Sequence, residues 1–448
     1  MTIHRLGKKH YLPCLDYLSF ISIIFFLIYL YINIISVGSF GKALPILFLY
    51  FLCSSIILLL TIFHHSFKPK DFEIFNLAIL IIFWLWIVFR SLYDLNDWYQ
   101  LKQITVATTG GIILFYATGF LFRICFEFIR NSENINLIIS GVFIIFLILL
   151  IWLGINWYER LIFTEFKLDG VSGKYQRPGN FISISYIVIS LLITNFTNIK
   201  YNQYLIVLYG IISIFLLICS QLIWSNSATG VILGVYLITL FFNHFKFQKK
   251  LIELKVNVIF KDKKNLKIIF NSFFFLFLTI VVLISFTYLF GGNFSDLRIF
   301  GFGTGLMDSL VLRYDQIIKY GLSQITYSPL FGNMNVAYMV TGNPGITLHS
   351  LFLNVTASLG IVGLMMMLTL IWLILKKIIQ DIKIKSSDDE VIQRISKIQI
   401  LVLFLFIILF ANISTGFTWA VLWFTIGFSN KIMILDKKKS VSKFTYVC

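Results

Sequence analysis

Apolar runs of about 20 residues recur from one end of this 448-residue chain to the other. A helix of that length spans a hydrocarbon core of about 30 Å. Inside such a core every backbone N–H and C=O must find a partner within the protein. A chain written this way therefore has the α-helix open to it, whereas a β-barrel would show short alternating strands. Charged residues make up 13% of the chain and hydrophobic residues 58%, against roughly a quarter charged in a soluble domain. The expectation is an all-α polytopic membrane protein.

About twelve runs qualify as spans: residues 15–37, 44–63, 74–93, 105–124, 137–155, 180–195, 204–221, 226–243, 268–290, 349–375, 398–415 and 417–434. The first is too long for the apolar region of a signal peptide and lacks a cleavage pattern, so it reads as a retained span. With the N-terminus in the cytoplasm, 27 of the 37 Lys and Arg residues fall on the cytoplasmic side. That asymmetry follows the positive-inside rule and puts both termini in the cytoplasm. It also accounts for the net charge of +17. The basic residues flank spans, as in Lys261-Asp262-Lys263-Lys264, which suits topology and contact with anionic lipid rather than nucleic acid.

The organisation that follows has three parts. Residues 1–290 hold about nine spans, residues 291–348 form one large extracytoplasmic loop, and residues 349–448 hold about three spans and a basic cytoplasmic tail. None of the five cysteines (Cys14, Cys53, Cys125, Cys219 and Cys448) falls in an outer loop, and no CxxC pair exists. Neither a disulfide framework nor a thiolate metal site is expected. Dinucleotide-binding, P-loop and HExxH patterns are absent too, so nucleotide- and zinc-dependent chemistry has no support in the sequence.

The 291–348 segment is too long for a connector. Loops of that size are functional or disordered, and its aromatic and aliphatic content argues against disorder. Residues 310–321 within it predict a short amphipathic helix, with Leu310, Tyr314, Ile317 and Ile318 on one face and Gly321 as C-cap. Smaller outward segments cover 156–179 and 224–230. The inward segment 244–267 is basic and suits an amphipathic helix on the inner leaflet.

The segment ends in His349, on this topology the one histidine of six on the outer face. A neutral imidazole at a helix start can act as a general base near neutral pH, and the helix dipole there favours an anionic ligand. A hydrogen-bonded structural histidine at the interface is the competing reading. Gly360 and Gly363 fit close helix packing. The outward arginines include Arg160, Arg177, Arg298 and Arg313, a residue type suited to bidentate contact with phosphate; each also fits a solvated or headgroup-contacting charge. Arg177 lies in Gln176-Arg177-Pro178-Gly179-Asn180, a rigid turn leading into a span. Ser225, Ser227 and Thr229 sit at the mouth of another span and fit helix packing or polar cavity lining. One outward histidine with several arginines would suit a diphosphate substrate on the outer leaflet.

His349-Ser350, followed after nine residues by Gly360-Ile361-Val362-Gly363, resembles the signature of the O-antigen ligase and polymerase superfamily of bacterial membrane glycosyltransferases. Tyr327-Ser328-Pro329-Leu330-Phe331-Gly332 is similar to that family's proline-leucine-glycine segment, with Arg313 upstream. Arg177-Pro178-Gly179-Asn180 resembles its turn before a span, and Ser225-Asn226-Ser227 its serine motif. One departure stands out. Many members carry Arg or Lys just after the serine motif, where this chain has Ala228.

The resemblance implies transfer of a glycan from an undecaprenyl diphosphate carrier at the outer face of the bacterial plasma (inner) membrane, without metal or cofactor. His349 would orient or deprotonate the acceptor hydroxyl, and Arg313, the other catalytic residue, would hold the diphosphate and stabilise the leaving charge. Arg177 and Arg298 would hold the diphosphate, and Asn180, Ser225 and Ser227 would line the cavity. The acceptor favoured is another carrier-linked repeat unit, which makes the protein a polymerase; a lipid A core would make it a ligase, and a protein acceptor is a further variant. Membrane lipids and a chain-length regulator are candidate partners, and nucleic acid is not. The alternative from another class is a transporter or flippase for lipid-linked oligosaccharide. It would predict charges inside spans and a pair of matching broken helices, whereas the charges here lie almost entirely at span ends.

Overall fold

A computed structural model describes residues 3–35, 43–64, 71–130, 134–162, 176–194, 199–222, 225–253, 321–335, 350–383, 390–414 and 416–430. The architecture among them is all-helical. The elements are α1 (Ile3–Ile35), α2 (Leu44–His64), α3 (Asp71–Asp94), α4 (Trp98–Thr108), a π-helical turn (Thr109–Leu114), α5 (Phe115–Arg130), α6 (Ile135–Ile162), α7 (Gln176–Ile193), α8 (Ile199–Leu222), α9 (Asn226–Glu253), α10 (Leu322–Tyr327), α11 (Leu351–Lys383), α12 (Glu390–Ser414) and α13 (Ala420–Ser429).

Seven helices are long and apolar enough to cross a membrane, through the stretches Leu15–Ile35, Phe75–Asp94, Ile104–Ile129, Ile135–Ile155, Asn226–Asn243, Leu351–Ile382 and Arg394–Ile413. Four shorter apolar helices, Leu44–Leu60, Pro178–Ile193, Val207–Gln221 and Ala420–Ser429, fall on further runs read from the sequence. The run at 268–290 lies outside the described residues, as does the amphipathic helix expected over 310–320. Gly321 does not act as the expected C-cap. It holds right-handed helical angles (φ −66°, ψ −45°) and leads into α10, and the chain turns only where Pro329 and Gly332 allow it. α9 continues to Glu253, so the start of the expected inner-leaflet segment prolongs a span.

Two helices are enclosed by their neighbours. All ten residues of α13 are buried, and α7 is buried from Phe181 to its end. Around α13 the rings of Phe26, Phe122 and Phe424 pack at 5.7–6.1 Å, and Phe83 meets Trp423 at 5.8 Å. The serines of α7 are satisfied inside it: the Ser183, Ser185 and Ser190 hydroxyls donate to carbonyls three or four residues back. Tyr186 and Tyr209 stack at 5.4 Å, with their hydroxyls on Ser213 (2.7 Å) and Ser190 (2.6 Å).

α5 and α13 touch backbone to backbone. A methyl on Gly119 would overlap the Phe424 carbonyl, one on Gly427 would overlap the Tyr116 carbonyl, and one on Gly111 would lie 2.5 Å from the Thr418 oxygen. Small residues let apolar helices approach this closely where no solvent-driven force presses them together. α3 is fixed at its start by a short polar chain: Asn76 Nδ2 donates to Asn430 Oδ1 (3.1 Å), and Asn430 Nδ2 donates to Tyr116 Oη (2.7 Å).

Candidate functional site

α11 is not one continuous helix. At Gly360 the backbone takes φ 70° and ψ −173°, a combination essentially confined to glycine. The sequence pattern suggests helix packing for this glycine; its role in the structure is to break the helix. In an unbroken helix the Ile361 N–H would bond to the Ala357 carbonyl. Instead the 329–333 turn enters the ladder. Ile361 N–H donates to the Pro329 carbonyl (2.9 Å), Val362 N–H to the Leu330 carbonyl (3.2 Å), and the Ala357 carbonyl accepts from Asn333 N–H (2.9 Å). The turn closes on itself through Gly332 N–H and the Ser328 carbonyl (2.9 Å), with Gly332 at φ +70°. Irregular backbone is tolerated at membrane depth only where its polar groups are satisfied by protein in this way.

α3 supplies the rest of the clasp. Trp86, Arg90 and Asp94 stand four residues apart on one face. Trp86 Nε1 donates to the Leu359 carbonyl (3.1 Å), next to the break, and its ring meets Phe331 at 6.0 Å. Arg90 Nη2 donates to Asp94 Oδ1 (2.5 Å) and to the Gly332 carbonyl (2.8 Å), and Asp94 Oδ2 accepts Met334 N–H (2.9 Å). Both side chains are buried. About eight residues separate the clasp from the start of α11 at Leu351, roughly 12 Å along the helix axis.

A second contact joins two other separated segments. Ser225 starts α9, its Oγ accepting Ala228 N–H (3.3 Å), as an N-cap does. That hydroxyl lies against Gly179 in the first turn of α7, where a methyl would overlap it. Ser227 Oγ is 3.2 Å from Ser225 Oγ, and Asn180 is partly exposed beside Gly179. Thr229 Oγ1 contacts Ser220 Oγ at 2.7 Å and accepts from Gln221 Nε2 at 2.5 Å. Ala228 is fully buried, its Cβ 3.7 Å from the Cβ position of Gly179. A long cation has no room there. Ala228→Arg is expected to destabilise the protein by ~3 kcal/mol or more, seen as loss of the monodisperse peak on heating in detergent; an unchanged melting profile would show that the α7–α9 contact is looser than described.

His349, Arg298 and Arg313 lie outside the described residues. Arg177 falls in the first turn of α7, with its side chain outside the described set. Ser350 is buried at the start of α11, and Phe352 N–H donates to Asn412 Oδ1 of α12 (3.1 Å). The sequence reading passed over Trp86, Arg90 and Asp94. Their signal was present in outline as an arginine within an apolar run, with an acid four residues on, since ionisable groups in spans are rarely idle. Arg123 and Glu127 of α5 form a second buried i,i+4 pair (2.5 Å), with Arg123 over the Phe428 ring at 5.0 Å. No family model, curated protein or solved structure matches the chain.

Proposed function

We propose that the protein is a membrane glycosyltransferase that polymerises undecaprenyl diphosphate-linked repeat units at the outer face of the bacterial plasma membrane. One observation carries this reading. The four stretches that resemble the O-antigen ligase and polymerase family, far apart in sequence, come together as two touching pairs: 329–333 on 357–362, and Gly179 on Ser225. The full topology has about twelve spans with both termini inside, and the 291–348 segment faces out. His349, next to Ser350, orients or deprotonates the acceptor hydroxyl. Arg313, with Arg177 and Arg298, holds the diphosphate and stabilises the leaving charge.

The break at Gly360 also suits a transporter, whose substrate sites use discontinuous helices. Such folds carry the feature in both halves, and among the described residues Gly360 is the one helical glycine with positive φ.

The test is complementation of a strain lacking the gene with wild type, His349→Ala and Arg313→Ala at equal membrane levels, reading the surface glycan ladder. A polymerase loses long chains in both variants by roughly 10²-fold or more while single repeats stay attached to the lipid core. A ligase loses all attached glycan while long carrier-linked chains accumulate. A normal ladder in both variants removes the glycosyltransferase assignment and favours the transporter.

A further inference from the structure

Arg90 and Asp94 reach a part of the chain more than 200 residues away and are bound entirely to its backbone. Arg90 holds the Gly332 carbonyl, and Asp94 holds the Met334 N–H. The turn they grip is itself threaded into the break of α11. The start of α11 is held from a second side, where Phe352 N–H donates to Asn412 Oδ1; in sequence His349 stands two residues before Leu351.

We infer that Arg90 and Asp94 are positioning residues: together they latch the 329–334 turn into the break of α11 and so hold the first half of α11, into which His349 leads in sequence, relative to the end of α3. This rests on the glycosyltransferase reading for what is positioned, and on geometry alone for the latch. The ion pair suits such a task. Its two members offset each other's charge, and their other hydrogen bonds go to main-chain atoms, from Arg90 Nη2 to the Gly332 carbonyl and from Met334 N–H to Asp94 Oδ2, while Arg90 Nε is buried without a partner among the described residues. Bidentate reach is an arginine property, but the single donor from Nη2 to Gly332 is one that a lysine can replace in part. A misplacement of about 1 Å at a site of transfer costs roughly 10²-fold in rate.

The experiment pairs hydrogen exchange with transfer kinetics, using full-length protein in nanodiscs. Arg90→Ala, Asp94→Asn and Arg90→Lys are compared with wild type. Amide exchange is followed at Asn333, Met334, Ile361 and Val362, with the α5–α13 amides as the measure of intact fold. Transfer is measured with lipid-linked repeat units extracted from the source strain. The expected result is exchange faster by roughly tenfold at the four latch amides in Arg90→Ala, with α5–α13 protection unchanged. The kcat should fall roughly 10²-fold with KM within about threefold, and Arg90→Lys should recover most of both. Should Arg90→Ala not fold, Asp94→Asn against Arg90→Lys gives the same contrast. Unchanged latch exchange in every folded variant overturns the latch. Faster exchange with wild-type kcat overturns the positioning role. Wild-type protein without transfer activity removes the glycosyltransferase reading instead, and the exchange data then decide the latch by themselves.

Discussion

Gly360→Ala is expected to abolish function and to remove much of the protein's thermal stability, although it adds one methyl group. Two costs combine. The φ 70°, ψ −173° conformation is strained for any residue with a Cβ, by about 1–3 kcal/mol. The methyl would also overlap the Leu330 carbonyl and crowd Phe331 N, so the turn must leave the break. Three backbone hydrogen bonds go with it: Ile361 to Pro329, Val362 to Leu330 and Asn333 to Ala357. Each is worth about 1 kcal/mol net, and more where no water replaces it. The total is ~5 kcal/mol or more, at the extreme end of single substitutions. Gly110→Ala is the matched control, because a methyl there meets nothing within 4 Å. Melting in detergent should separate the two by several degrees at least. Equal melting temperatures would mean that α11 runs straight through Gly360.

The second large effect is expected at the α5–α13 crossing. Gly119→Leu places a branched side chain where even a Cβ overlaps the Phe424 carbonyl and lies 3.0 Å from Phe428 N. The obstacle is main chain on a helix that is buried along its whole length, so no rotamer change relieves it. The helices must separate, and with them the Phe122, Phe424 and Phe428 packing at 5.6–5.9 Å. Overpacking of this kind should cost ~4 kcal/mol or more and leave little folded protein in the membrane. Gly119→Ala and Gly427→Ala offer a gentler version. Because both act on one crossing, their double mutant should lose less than the two single losses together. Strict additivity, or wild-type levels for Gly119→Leu, would contradict the close approach.

The helical character was legible because the hydrophobic pattern is coarse and local: a run of about 20 apolar residues leaves one regular structure open. Individual helices such as α6 and α12 fall on such runs directly. The clasp was not legible in the same way. Arg90 looks like one charge near the end of a span, and nothing local announces that its partner carbonyl belongs to Gly332. Gly360 likewise has the look of a packing glycine, since φ cannot be read from a residue's neighbours. The resemblance did single out the Pro329–Gly332 and Gly360–Gly363 stretches separately; that they bond to each other is a tertiary fact. Ala228 is instructive in the opposite direction: nothing in its sequence neighbourhood calls for so small a residue, and the reason is seen only with Gly179 against it.

α3 is pinned near both ends, by Asn76 to Asn430 and by Arg90 and Asp94 to the turn in α11. Its middle is held as well, through Phe83 and Trp423. A helix secured like this behaves as a strut of fixed length. When the bilayer thins or thickens, an ordinary span tilts to keep its apolar length matched. α3 cannot tilt alone, because α13 and the turn are joined to it at three levels and must move with it.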